Sequence, residues 1–155
     1  MTRVITSSAE AKDLVDQPLG ESGPLLIDQV RVNQFADATE DHQWIHVDVE
    51  RAASGPFGGT IAHGYLTLSL VPYFAAQIYT LDFGNARLNY GTNKVRFPTP
   101  VPVGSTVRAT ASFVEVRTEP QGTYVTTRFT ISVDGSTKPA CVAETTTLVV
   151  GEPAT

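Results

Sequence analysis

Residues 60–81 form the longest apolar segment of this chain, and their pattern is helical rather than alternating. Its apolar side chains fall on most sides of the predicted helix; they are Leu66, Leu68, Leu70, Val71, Tyr73, Phe74, Ala75, Ala76 and Ile78. A helix that is apolar around most of its circumference has to be enclosed by other elements. The segment therefore predicts a helix inside the fold, and the rest of the chain has to cover it.

The cover is predicted downstream, where the sequence takes on strand character after Gly84. Four segments are rich in Val, Thr and Phe: residues 93–97, 106–117, 124–133 and 140–150. Gln121–Gly122 and Asp134–Gly135 separate three of them and are typical of hairpin turns. One apolar helix followed by such strands predicts an α+β fold, in which a curved antiparallel sheet wraps around one long central helix.

The first half of the chain predicts four short elements. They are a helix over residues 8–15, a strand over residues 25–27, a helix from residue 29 to about residue 38, and a helix over residues 49–53. Each helix has a candidate N-cap: Ser7, Asp28 and Asp48. Residues 17–20 are expected to break the chain after the first helix, and residues 39–46 to form an irregular link.

Length and composition limit the class of protein. With 155 residues and no internal repeat or linker, a single domain over residues 1–155 is expected, with a frayed tail at residues 152–155. The formal net charge of -5 argues against binding to nucleic acid and offers no polybasic patch for a membrane surface. No apolar stretch reaches the ~20 residues of a membrane span, and no signal peptide is recognisable. A single cysteine, Cys141, is expected to be buried and inert, and the protein to be cytoplasmic.

Asp41 and His46 are the candidate catalytic residues. A carboxylate and an imidazole can together hold and polarise a water molecule, and adding water across an activated double bond requires an acid and a base of this kind. Five positions are not the spacing of neighbours on one helical face, so their convergence depends on the shape of the link. The alternative is a helix-end aspartate and a surface histidine without a joint role.

A second block, His63 and Gly64, stands near the start of the apolar helix. The amide of Gly64 could stabilise a developing oxyanion there, since the first amides of a helix have no partner within it. Alternatively, the glycine could serve close packing of the helix on the sheet. His63 is expected to orient the loop through a hydrogen bond rather than to take part in chemistry.

Three blocks of the sequence together resemble a known family. They are residues 35–48 with Ala52 and Ala53, residues 59–64, and the segments 89–91, 93–98 and 102–104. The first resembles the hydratase signature of the MaoC-like hot-dog proteins, the R-specific enoyl-CoA hydratases, and is most similar to the NodN-like branch. Glu40, Gln43 and Trp44 depart from the commonest pattern, in which glycine, asparagine and proline stand at these positions.

The resemblance implies a single hot-dog domain and a hydratase. The enzyme would add water to a trans-2-enoyl thioester such as enoyl-CoA and form a (R)-3-hydroxyacyl thioester. Asp41 and His46 would hold the water as a coupled pair, and Gly64 would donate to the thioester oxygen. No cofactor is expected, because coenzyme A belongs to the substrate, and no metal, because three histidines without cysteine partners do not make a ligand set.

Further residues are candidates for substrate contacts. Walls of an acyl slot are expected among Leu66, Leu70, Phe74, Trp44 and Tyr65, although such stripes are more often plain core. Ser69 could add a polar contact. Lys94 and Arg96 share one strand face and could meet the phosphates of coenzyme A, or remain solvated.

Two other functions and the partners follow from the same resemblance. Hot-dog scaffolds also hydrolyse acyl thioesters, and some hot-dog chains are non-catalytic acyl-binding partner subunits. The presence of Asp41, His46 and Gly64 favours the hydratase. The thioester carrier is expected to be coenzyme A or an acyl carrier protein, and long strands whose edges need cover predict a homodimer.

Overall fold

The computed structural model describes residues 1–151 and orders them as short helices followed by long strands. Its helices are α1 (Ser8–Asp13), α2 (Gln29–Thr39), α3 (Trp44–Val47), α4 (Val49–Ala53), α5 (Gly64–Ser69) and α6 (Val71–Ile78). Its strands are β1 (Arg3–Ile5), β2 (Pro18–Glu21), β3 (Leu25–Ile27), β4 (Tyr79–Leu81), β5 (Ala86–Arg96), β6 (Ser105–Glu119), β7 (Gly122–Val133) and β8 (Cys141–Val150). The tail predicted to fray, residues 152–155, lies outside the described residues.

The long strands form one antiparallel sheet, in which neighbours follow the order β2–β6–β7–β8–β5. Strand β3 also pairs with β6, beside β2. Phe113 and Phe129 project from the sheet into the same buried cluster as Phe74 of α6. This arrangement confirms the predicted α+β class, with an antiparallel sheet packed on a central helix. Within residues 1–151, no helix is both long and apolar enough to cross a membrane.

The central helix is shorter than residues 60–81 and is interrupted. It begins at Gly64, and Leu70 separates α5 from α6. Pro72 lies in the first turn of α6, where its missing amide hydrogen cannot continue the hydrogen-bond ladder of α5. Residues 79–81, predicted as helix, form β4 and pair in parallel with β1.

Besides β4, two further strands are not predicted by the sequence. Strand β1 has only three residues, and its pairing with β4 depends on a segment more than seventy positions away. Strand β2 lies at the predicted break and pairs with β6, with an irregularity between Pro18 and Gly20. A proline at the first residue of such a strand is tolerated, since it has no amide to contribute to the ladder.

The predicted helix caps are confirmed. The Ser7 hydroxyl accepts a hydrogen bond from the Glu10 amide at 3.2 Å. The carboxylates of Asp28 and Asp48 accept from the amides three residues ahead at 2.9 and 3.0 Å. Each bond satisfies an amide that the helix itself leaves unpaired, which explains why these helices begin where the sequence predicts.

Cys141 is fully buried on β8, as predicted. Burial raises the pKa of its thiol to about 11, because the thiolate would lose its hydration inside the fold. The thiol is therefore protonated at neutral pH and has little nucleophilic character.

Helix α2 ends at Glu40 in the left-handed conformation, with φ +61° and ψ +19°. Helices commonly end on a glycine in this conformation, because a Cβ atom there collides with the backbone. Glycine is also the residue that the family resemblance would place at this position. Glu40 therefore occupies a strained position directly before Asp41.

We expect Glu40→Gly to raise the free energy of unfolding by about 0.5–1 kcal/mol, because glycine removes the Cβ strain at positive φ. Urea denaturation of the purified variant measures the change. Glu40→Ala is the matched control: it removes the same charge but keeps the Cβ atom, so it should gain nothing. An equal gain in both variants would assign the effect to charge rather than to the backbone.

Candidate active site

His46 is 7% exposed and lies on α3, where the sequence predicts an irregular link. Its Nδ1 lies 2.7 Å from the carbonyl oxygen of Ile61. A carbonyl oxygen can only accept, so Nδ1 carries the proton and Nε2 keeps its lone pair. The fold thus presents a neutral imidazole whose Nε2 can act as a base.

The environment of His46 favours this neutral form. Burial lowers its pKa below the ordinary value, because the imidazolium would lose hydration. The hydrogen bond to the Ile61 carbonyl opposes this effect, the neighbouring His63 adds to it, and the Asp41 carboxylate opposes it. Since desolvation is the largest of these effects, the imidazole is uncharged at neutral pH.

His63 packs face to face with His46, with ring centroids 3.9 Å apart and ring planes inclined by 23°. Its Nε2 donates to the backbone carbonyl of Asp41 at 2.9 Å, which ties the link after α2 to the start of α5. This is the kind of loop-orienting hydrogen bond expected of His63. The Nδ1 of His63 is buried and has no hydrogen-bond partner among residues 1–151.

Asp41 lies on the exposed link between α2 and α3, and its carboxylate accepts from the Gln43 amide at 3.3 Å. One carboxylate oxygen of Asp41 and one ring nitrogen each of His46 and His63 lie within 4.8 Å of one another. Two groups that bind the same water at about 2.8 Å each are about 4.6 Å apart at a tetrahedral angle. Asp41 and His46 are therefore within reach of one shared water molecule.

The same three donor groups are close enough to hold a metal ion. Zinc binds imidazole nitrogens at about 2.0 Å and arranges its ligands tetrahedrally, so the ring planes have to converge on the ion. Here the two rings are stacked with their planes inclined by 23°. One nitrogen of each ring already donates to a backbone carbonyl, which leaves one nitrogen per ring free to bind an ion.

Gly64 is the first residue of α5, and the ring of Phe97 packs against it. A Cβ atom at this position would lie 3.2 Å from the ring, so a larger residue would have to displace the ring by a few tenths of an ångström. Tyr65, which is largely exposed, stands edge-on to the same ring. The packing alternative for Gly64 is thus supported, and its role as an oxyanion donor stays a prediction.

Trp44 is the first residue of α3, a position where proline is favourable because the first helical amide has no partner. Trp44 and the proline of the family pattern are therefore both compatible with the first position of this helix. The indole packs beneath the Arg51 guanidinium, 4.2 Å from the ring centroid, and against Gly55. Trp44 joins α3 to α4, and its role as an acyl-slot wall stays a prediction.

The expected slot walls Leu66, Leu70 and Phe74 are members of the buried core, so the core alternative holds for them. A cavity of about 1130 Å³ lies on another side of the central helix, where Leu68, Ser69 and Ala75 face the sheet. Ser69 lines this cavity and donates its hydroxyl to the Tyr65 carbonyl at 2.6 Å. The dyad residues are not among those that line the cavity.

Lys94 and Arg96 are exposed on β5. Val95 between them packs against the core, so alternation along the strand places both charges on the outer face of the sheet. Lys94 lies opposite Glu144, whose carboxylate pairs with Arg128 at 2.8 Å. Lys94 and Arg96 are thus placed as solvated charges are. A contact of either residue with the phosphates of coenzyme A stays a prediction.

Two supports of the site are not predicted by the sequence. They are the Ile61 carbonyl that accepts from His46 and the side chain of Gln29, which donates to the backbone carbonyl of His46 at 2.7 Å. No local signal identifies them, since a glutamine at the first position of a helix is unremarkable and a backbone carbonyl is common to every residue.

Comparisons with known proteins agree with this architecture. The MaoC like domain family matches residues 10–134. The 3-hydroxyacyl-thioester dehydratase Z of Mycobacterium tuberculosis (strain ATCC 25618 / H37Rv) is 54% identical over 143 residues, which cover 92% of this chain and 95% of that protein. Nodulation protein N of Rhizobium leguminosarum bv. viciae is 40% identical over 153 residues, or 95% and 93% of the two chains. The (R)-hydratase from A. caviae, involved in PHA biosynthesis, has a TM-score of 0.72 and 27% identity over 87% of this chain and 96% of that chain.

We expect His46 to titrate below, and His42 above, the ordinary histidine pKa of about 6.5. Burial lowers the pKa of His46, whereas the hydrogen bond from His42 Nε2 to the Asp37 carboxylate at 2.9 Å raises the pKa of His42. Proton NMR of the imidazole resonances, assigned with His42→Asn and His46→Asn, gives both midpoints. A midpoint of His46 above that of His42 would contradict the described burial.

The two histidines also have opposite effects on stability. Below pH ~6.5, His46 binds a proton in the unfolded chain but not in the folded protein, because burial lowers its pKa there. Protonation therefore favours the unfolded chain, and the free energy of unfolding falls as the pH falls toward the lowered pKa. His42 contributes stability that is fully present below pH ~6.5 and lost as pH rises through its raised pKa. Urea denaturation from pH 5 to 8, with each asparagine variant, separates the two contributions.

Proposed function

Because this chain belongs to the MaoC-like domain family, we propose that it interconverts a trans-2-enoyl thioester plus water with a (R)-3-hydroxyacyl thioester. One relative is named a dehydratase and another a hydratase, words for opposite directions of the same exchange of water. The observation that carries the proposal is the approach of the Asp41 carboxylate and the His46 imidazole to a separation that one water can bridge.

In this mechanism, the water donates its two hydrogens to the Asp41 carboxylate and to Nε2 of His46. Its oxygen attacks the β-carbon while one member of the dyad takes a proton, and the electrons of the double bond move toward the thioester carbonyl. The dyad then delivers a proton to the α-carbon. One hydroxyl and one hydrogen have been added, and the enzyme returns to its starting state.

The neutral state of His46 supports this scheme, because only an uncharged imidazole can accept a proton from water. The enolate-like oxygen that develops on the thioester requires a donor, and the amide of Gly64 at the start of α5 is the candidate. One such donor typically lowers the barrier by about 3 kcal/mol.

The acyl chain would extend from Gly64 along the central helix toward the cavity that begins at Leu68 and Ser69. With a rise of about 1.5 Å per residue, Ser69 lies roughly 7.5 Å along the helix from Gly64. The carrier would remain outside, where Lys94 and Arg96 on β5 could meet the phosphates of coenzyme A or acidic groups of an acyl carrier protein.

We expect Asp41→Asn and His46→Gln each to lower kcat by about 10²–10⁴-fold, because each removes one partner of the proton transfer. The assay follows the loss of absorbance of a 2-enoyl thioester with purified protein alone. Asp41→Asn should leave the fold intact, since the residue is exposed. His46 is buried, in contrast to the expectation of a loop residue, so its variant has to be checked by thermal unfolding. A rate near that of the unchanged protein in either variant would remove the dyad from the mechanism.

The same assay separates the alternatives. Release of free thiol from a saturated acyl-CoA would indicate a thioesterase. Activity only after addition of a second polypeptide would indicate an acyl-binding partner subunit. Either result, without hydration by the chain alone, would overturn the proposal.

We further propose a homodimer that pairs β5 with its counterpart. This edge strand has eleven residues and is exposed along nearly its whole length, and it carries the large apolar side chains Leu88 and Tyr90. A long exposed edge with unpaired backbone groups is a template for pairing with another strand. A second copy of β5 satisfies these groups in both chains at once, because an antiparallel edge can pair with itself about a twofold axis.

We expect sedimentation to show a mass near twice the 16.6 kDa of one chain. Leu88→Arg should shift it toward the monomer, because it replaces an exposed apolar side chain of the paired strand by a charge that has to be desolvated. Val30→Arg is the matched control, since Val30 is also an exposed apolar residue but lies on α2. A Leu88→Arg protein that remains as dimeric as the control would place the interface elsewhere.

A further inference from the structure

We propose that Gln29 is a positioning residue, which holds the His46 imidazole in the orientation required for proton transfer. The inference rests on the proposed function, since it concerns the same dyad. Gln29 is the first residue of α2 and is partly buried.

The side-chain amide of Gln29 makes three hydrogen bonds, which use both of its N–H donors and one of the two lone pairs of Oε1. Nε2 donates to the backbone carbonyl of His46 at 2.7 Å and to Oδ1 of Asn33 at 2.9 Å. Oε1 accepts from the Thr60 hydroxyl at 2.7 Å. The amide therefore joins α2 to two separate segments, one on each side of the site.

These bonds form a closed loop around His46. From Gln29 the loop runs through the backbone of His46, its ring and the Ile61 carbonyl to the neighbouring Thr60, whose hydroxyl returns to Gln29. Gln29 thus fixes the backbone that carries the imidazole and the segment that accepts its Nδ1 proton. If either segment shifts, the Nδ1–H···O=C bond lengthens and the ring loses the orientation that this bond gives it.

The chemistry of the loop requires an amide at this position. The His46 carbonyl and Asn33 Oδ1 are both acceptors, so they need a donor that a carboxylate cannot supply. A carboxylate would also bring a negative charge near His46 and favour the imidazolium, which cannot act as a base. Thr60 is almost fully buried, so its hydroxyl is costly to leave unpaired.

The test compares Gln29→Met and Gln29→Glu with the control Asn33→Ala. Methionine keeps the length of the side chain without its hydrogen bonds, and glutamate keeps only the bond from Thr60. The control removes only the exposed bond to Asn33, which lies outside the loop. Steady-state hydration of a 2-enoyl-CoA gives kcat and KM, and NMR of the imidazole resonances gives the tautomer and titration midpoint of His46.

We expect both Gln29 variants to lower kcat at least tenfold with KM changed less than twofold. Gln29→Met should move the His46 midpoint further down, because it weakens the bond to the Ile61 carbonyl that raises the pKa, whereas the carboxylate of Gln29→Glu should move it upward. The Nδ1–H signal of His46 should broaden or disappear. Asn33→Ala should match the unchanged protein in kcat, KM, tautomer and titration midpoint. Thr60→Val should reproduce the Gln29→Met effects, and combining the two should add little, since both open the same loop.

A Gln29→Met protein with an unchanged His46 tautomer and midpoint would overturn the inference, even if its melting temperature fell. Gln29→Glu with normal kcat would also overturn it, because the donor to His46 would then be dispensable. If the unchanged protein hydrates no enoyl thioester, the proposed function fails, whereas the NMR comparison still decides whether Gln29 positions His46.

Discussion

The structure depends on how the chain enters its own core at residues 60–63. Residues 60–63 lead into the central helix and are almost fully buried, so their backbone groups need partners. Two of their amides are paired outside the segment: Ile61 donates to the Ile45 carbonyl and Ala62 to the Val101 carbonyl. The carbonyl oxygen of Ile61 accepts a hydrogen bond from Nδ1 of His46. Satisfying a buried backbone is thus what brings α3 to the head of the helix.

The electrostatics of the site come from this backbone more than from charged neighbours. Each of the two stacked imidazoles donates to a backbone carbonyl, His46 to Ile61 and His63 to Asp41, and each carbonyl selects one tautomer. Stacking discourages a charge on both rings, since two imidazolium ions at 3.9 Å would repel each other. The carboxylate of Asp41 lies at the exposed side of the group.

Sequence patterns predicted the elements whose causes are local. The caps at Asp28 and Asp48 and the threonine- and valine-rich strands are examples, because the determining residues lie in the element itself. The pair of Asp41 and His46 was found by spacing and family resemblance, but its convergence was not predictable. It follows from a four-residue helix too short to show a period and from a bond to Ile61 fifteen positions away. Strand β1 was not predicted for the same reason, because it is a strand only through its pairing with β4, which is distant in the sequence.

Because the thiol of Cys141 is fully buried, this protein is well suited to site-specific chemical labelling. Cys141 is the only cysteine in the sequence. Its side chain has no exposed surface, and burial raises the pKa of its thiol. A maleimide therefore reacts with a newly introduced surface cysteine and spares the native one. Spin or fluorescent probes attached one at a time can report distances across the molecule, with no need to remove Cys141 and disturb the packing around it.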